Sequence, residues 1–167
     1  MNIIDQIKEN AKKYGKRIVL AEGEEDRTLK AASKIMEEGI AKIVLLGNPE
    51  VINQKAAEFG LKNIGDATII DPKNNPKQQF YAEMLCEIRK SKGMQMDEAM
   101  KLVQDPLYLA TLLIKNKEVD GEVAGAQNST GNVLRPAFQI VKTPPASPWF
   151  PAPSSWFSKI RSGATMA

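Results

Sequence analysis

At 167 residues, with 43% hydrophobic and 26% charged side chains, the chain suits one globular domain with a substantial core. It has no histidine and one cysteine, Cys86, which excludes Ser-His-Asp and Cys-His chemistry, histidine-ligated zinc, multi-cysteine metal sites and an intrachain disulfide. A net charge of +3 does not make a nucleic-acid binder: Lys159 and Arg161 are the only charges after Lys142, and before them acids and bases are interspersed.

Ile3, Ile4, Ile7 and Ala11 fall at helical spacing between Ile3 and Tyr14, with Gly15 as the stop. Arg17-Ile18-Val19-Leu20-Ala21 is a short apolar run, predicted as a buried strand. The acidic Glu22-Gly23-Glu24-Glu25-Asp26 leads into a helix from about Arg27 to Glu38, whose inner face is Leu29, Ala32, Ile35 and Met36. Gly39 caps it. Lys42-Ile43-Val44-Leu45-Leu46 is a second strand, Gly47-Asn48-Pro49 opens a helix ending near Gly60, and Thr68-Ile69-Ile70 is a third strand. Helices are predicted over Pro76 to Lys92, Asp97 to Val103 and Leu107 to Lys115, the last opened by Asp105 and Pro106. Gly121-Glu122-Val123-Ala124-Gly125 returns as a strand. Strand–helix alternation at this rhythm means βαβ units, a mostly parallel sheet and an α/β fold of three αβα layers. No apolar stretch approaches the roughly 20 residues needed to cross a bilayer, and Met1–Ile7 lacks a signal peptide's charged start. No membrane partner and a cytoplasmic location are expected.

After the last strand comes Ala124-Gly125-Ala126-Gln127-Asn128-Ser129-Thr130-Gly131-Asn132-Val133-Leu134-Arg135-Pro136-Ala137. A polar glycine-containing loop followed by a helix with an early arginine offers backbone N–H groups, hydroxyls and a guanidinium to an anion. Loops at the carboxyl ends of strands are where open α/β sheets bind ligands. This block resembles the AGA-x-N/H-S/T-T-x-x-x-x-R-P motif of the phosphate acetyltransferase family. Two further stretches are similar to that family: Leu85-Cys86-Glu87-Ile88-Arg89-Lys90-Ser91-Lys92-Gly93-Met94 to its L-x-x-x-R-K-x-K-G-M, and Glu22–Arg27 to its P-E-G-x-x-x-R.

The resemblance covers residues 1 to about 145. It implies the N-terminal part of the first domain in a two-domain acyltransferase that moves an acetyl group reversibly between acetyl phosphate and coenzyme A. Coenzyme A, acetyl-CoA, acetyl phosphate and phosphate are then substrates, with no tightly bound cofactor, and the family's form is a homodimer. Phosphate butyryltransferase and a non-catalytic anion-binding module are the alternatives. Arg135, Arg89, Asn128, Ser129, Thr130 and Gly131 are the expected substrate-binding residues. Sequence alone equally allows Asn128, Ser129 and Thr130 as helix caps and Arg89 as a solvated helix charge. The resemblance places a serine–arginine pair and a carboxylate in the second half of the family, so no complete catalytic set and no full activity are expected of this chain. Glu22, Glu24, Glu25 and Asp26 read as capping and cleft shape, not as a metal site. Cys86 reads as a structural thiol. Nucleotide-binding glycine motifs are absent.

Residues 143–167 break character, with both tryptophans and five of the ten prolines, Pro144, Pro145, Pro148, Pro151 and Pro153, and 146–167 form a proline- and tryptophan-rich tail. One reading is a proline-rich recognition tail. Another is a slip of reading frame. Regrouped by one base, Ala146-Ser147-Pro148-Trp149-Phe150 can encode Gly-Val-Ser-Val-Val, which resembles the family's continuation, and each Trp-Phe pair forces a valine triplet. An out-of-frame, disordered tail is the expectation.

Overall fold

A computed structural model describes residues 2–142; the tail expected after residue 145 lies outside them. Four strands are present, β1 (Arg17–Leu20), β2 (Lys42–Leu46), β3 (Thr68–Ile70) and β4 (Gly121–Val123). All pair in parallel in the order β3-β2-β1-β4. The helices are α1 (Ile3–Tyr14), α2 (Asp26–Glu37), α3 (Pro49–Glu58), α4 (Gln78–Arg89), α5 (Met96–Leu102), α6 (Pro106–Lys115) and α7 (Thr130–Pro136). The α/β class and the three layers stand as expected.

The layering follows from the alternation of side chains along each strand. Leu20, Ile43 and Leu45 face one way, onto Leu29 and Ala32 of α2 and Ile52 and Ala56 of α3. Val19, Ala21, Val44 and Leu46 face the other, onto Tyr81, Ala82 and Leu85 of α4 and the buried length of α6. Because β1, β2 and β3 step outward in one direction and β4 returns to the other side of β1, right-handed crossovers put the two helix groups on opposite faces. The step also creates a switch point between β1 and β4, where the loops leaving their carboxyl ends diverge.

Three elements depart from expectation. The helix over Ile3–Tyr14 forms, with a reciprocal cap between Asn2 and Asp5, yet Ile3, Ile4 and Ile7 are 60–73% exposed. The strand after Gly121 stops at Val123, because Gly125 turns the chain at a φ of 109° that favours glycine. Arg135 does not stand early in its helix. Ser129 caps α7, so Arg135 falls in its last turn, and Pro136 leads into a π-helical turn, Ala137–Val141.

Candidate anion-binding site at the β1–β4 switch point

The loop after β4 comes back against the end of β1. There Glu22 is 8% exposed and its carboxylate fills the loop. The N–H groups of Gly125 and Ala126 donate to Oε2 at 2.8 and 2.6 Å. Those of Gln127 and Asn128 donate to Oε1 at 2.9 and 2.8 Å, and Asn128 Nδ2 adds a fifth bond at 2.9 Å. Burial alone would raise the Glu22 carboxyl. The donors from Gln127, Asn128 and Ala126 outweigh it and hold the group at about 2. Expected to be free for a ligand, these backbone N–H groups are instead taken by a carboxylate of the same chain.

The turn that delivers Glu22 is narrow. Gly23 donates its N–H to the Leu46 carbonyl at 3.0 Å, and a Cβ on Gly23 would stand 2.6 Å from that same oxygen. Only glycine lets the β1 loop cross the end of β2. Arg27 supports the β4 loop from outside, donating to the Ala126 carbonyl at 2.7 Å and to Glu25 at 2.6 Å. Glu25 in turn caps α2 by accepting from Thr28 N–H. The capping read from the sequence holds for Glu25, while Glu22 has this larger role. Among the described residues no cluster of acidic and cysteine side chains has the geometry to hold a metal ion.

Beside the loop, at the strands' carboxyl ends, opens a crevice of about 390 Å³ bordered by Glu22, Gly23, Asn48, Asp71, Asp105 and Asn128. Asn128 is the one expected ligand on its wall. Ser129, Thr130 and Gly131 are exposed at the start of α7, where the Ser129 hydroxyl accepts from Asn132 N–H at 3.4 Å.

Arg89 and Arg135, far apart in sequence, act on the same phenol. Tyr108, on α6, is 7% exposed, and its hydroxyl donates to Gln139 of the π turn at 3.1 Å. Burial pushes this phenol up, and the guanidinium charges of Arg135 and then Arg89 pull it back. Both therefore lie within electrostatic reach of it. Arg89 Nε is buried without a hydrogen-bond partner among the described residues, whereas Arg135 is exposed. A buried guanidinium N–H without a partner among the described residues is a group that an anion can satisfy. Tyr108 and Gln139 were not legible as site residues; a π turn after a proline is the local signal that marks such places.

Glu122, in β4, is half-buried, with its Oε1 shut off from water. Desolvation raises it to about 7, Thr111 opposes, and the charges of Asp105 and Glu22 add to the rise. Cys86 is a free thiol, half-buried against the α4–α6 core.

The fold is an open parallel α/β sheet whose β4 loop is pinned at the switch point by Glu22. The model of the Phosphate acetyl/butaryl transferase family matches residues 2–153. The chain belongs to that family. It is 49% identical over 145 residues to the phosphate acetyltransferase of Clostridium acetobutylicum, covering 87% of this chain and 43% of the relative. It is 46% identical over 142 residues to that of Escherichia coli, covering 85% and 20%. Among solved structures, a phosphotransacetylase from Streptococcus pyogenes superposes with a TM-score of 0.80 at 31% identity, over 87% of this chain and 44% of that one. The chain thus spans less than half the length of these relatives.

Proposed function

We propose that this chain carries the anion-holding part of an acyltransferase that exchanges an acetyl group between acetyl phosphate and coenzyme A. The observation that supports it most is the buried Arg89 Nε, which lacks a partner among the described residues, with the charges of Arg135 and Arg89 both reaching Tyr108. In such a transfer the coenzyme A thiolate forms a bond to the acetyl carbonyl carbon, the bond to the phosphate oxygen breaks, and phosphate leaves with the electron pair. Two guanidiniums suit the phosphate or pyrophosphate charge, because each can fork onto two oxygens and stabilise charge as it develops. The names of the relatives favour acetyl over butyryl.

Asn128, Ser129, Thr130 and Gly131 take a subsidiary part: with the loop amides engaged by Glu22, substrate contact there falls to side chains and the exposed start of α7. A cytoplasmic enzyme working as a homodimer belongs to the same proposal, with no tightly bound cofactor. The chain by itself is proposed to turn over slowly or not at all, since it contains less than half of what its relatives use.

The test is calorimetric titration of the 167-residue chain with coenzyme A and with inorganic phosphate, beside an assay of acetyl-CoA formation from acetyl phosphate. Saturable binding that Arg89→Ala and Arg135→Ala each weaken, with little turnover, is the expected result. Binding indifferent to both arginines would overturn the assignment, and turnover matching a full-length relative would overturn the claim of low activity.

A further inference from the structure

We propose that Glu22 is a positioning residue of the anion site, an internal carboxylate that fills the Gly125–Asn128 nest, closes it to substrate phosphate and fixes the chain leading to Ser129 and Arg135. This rests on the function proposed above. A run of backbone N–H groups converging from a turn is ordinarily an anion receptor. Here four of them, with the Asn128 amide, converge on one side chain 103 to 106 residues away in sequence, at 2.6 to 2.9 Å. Both carboxylate oxygens are used, two donors on one and three on the other, so the group is saturated as an acceptor.

Three features keep the carboxylate in place. Gly23 lets its turn cross Leu46. Gly125 adopts the positive φ at which the nest begins. Arg27 grips the Ala126 carbonyl on the loop's other side. Ionised Glu22 therefore acts as a fixed counterpart across the β1–β4 junction. Substrate anion is turned toward the arginines, whose N–H groups are not spent on it.

Glutamine at position 22 is nearly isosteric but presents an NH2 group to at least two of the donors. In Glu22→Gln the amides of residues 125–128 should exchange with deuterium roughly tenfold faster or more, as loss of charge-assisted bonds implies, while amides of β1 and β2 keep their rates. In Glu22→Ala, added formate should enter the vacated nest and restore protection saturably. Coenzyme A, followed on the Arg89 and Arg135 Nε–H resonances, should bind Glu22→Gln about tenfold more weakly than wild type. Unchanged exchange at 125–128, or no recovery with formate, would overturn the clamp. Faster exchange with unchanged coenzyme A affinity would overturn the positioning role. If the wild-type chain shows no coenzyme A binding, the functional reading fails and positioning with it, whereas the formate result still decides whether the clamp exists.

Discussion

Glu22 and Glu122 lie on neighbouring strands' ends, the first just past the end of β1 and the second in β4 opposite Val19. Glu22 is buried and Glu122 half-buried, and the charge of Glu22 acts on Glu122. Their protonation goes opposite ways. Glu22 meets a nest of donors and is held at about 2; Glu122 meets one hydroxyl and is pushed to about 7. Burial raises both, so the number of N–H groups aimed at the carboxylate decides the sign. Thr111, the one hydroxyl that opposes the rise of Glu122, supports the charge only weakly. Its hydroxyl has one hydrogen and two neighbours, the Leu107 carbonyl at 2.8 Å and Glu122 Oε2 at 3.2 Å. With Glu122 protonated both contacts are satisfied; with Glu122 ionised one is lost, and Oε1 is buried without a partner among the described residues.

The largest effect should come from removing the favoured charge. Glu22→Ala strips a partner from five donors at once and should cost about 2–4 kcal/mol of folding stability, read by urea denaturation at pH 7. Acid should reproduce much of this in the wild type. A carboxyl whose folded value lies below its ordinary 4.5 stabilises the fold above 4.5, and that contribution, on the order of 3 kcal/mol, is lost as pH falls toward about 2. Glu22→Gln should flatten that acid limb. A limb of unchanged steepness in the variant would mean that other groups carry it.

Glu122 should respond in the other direction. Its folded value lies above the ordinary 4.5, so the fold is favoured at low pH and loses stability as pH rises from 4.5 through about 7. Glu122→Gln keeps a donor for Thr111 and removes the charge. At pH 8 the variant should be more stable than wild type by about 2 kcal/mol, and at pH 4 the two should match. A variant less stable than wild type at pH 8 would show that the carboxylate is satisfied there, and the contrast between the two sites would collapse.

What the sequence disclosed divides along the same line. The strands at Arg17 and Lys42 and the helices from Leu29, Asn48 and Asp105 are local patterns of apolar spacing and caps, and they form close to where those patterns put them. The Asn128 loop was legible as a donor-rich polar turn because its composition is local too. That Glu22 occupies it was not, since the pairing spans more than a hundred residues and depends on β4 returning beside β1. The place of Arg135 was missed for a smaller reason. With Ser129 as its cap, α7 runs only from Thr130 to Pro136, so Arg135 falls in its last turn and not near its start. The π turn beyond depends on Pro136, which has no N–H to give the preceding turn, and the ladder resumes with Lys142 bonding back to Ala137.

Tyr108→Phe tests whether the arginine pair needs the phenol. It removes only the 3.1 Å bond to Gln139, for about 1 kcal/mol of stability. Coenzyme A affinity should fall a few-fold if the hydroxyl orders the π turn beside Arg135. Unchanged affinity would limit Tyr108 to packing.

Arg135→Ala should disturb the fold least, and that separates it from both glutamates. Its guanidinium is exposed, forms no salt bridge among the described residues and sits in a helix where alanine is the better helix former. The melting temperature should therefore stay within about 2 °C of wild type, the scale of a neutral surface change. Binding should not be spared. Losing one forked charge-assisted contact to a phosphate weakens affinity about tenfold to a hundredfold, and Arg135→Lys should recover only part, because an ammonium is a point charge without the planar fork. The measurement pairs a thermal melt with calorimetric titration of coenzyme A for each variant. Intact folding with lost binding places Arg135 on the ligand side of the site, opposite Glu22, whose loss should damage both. If Arg135→Ala binds as tightly as wild type, Arg89 alone holds the anion, and the exposed end of α7 has no part in it.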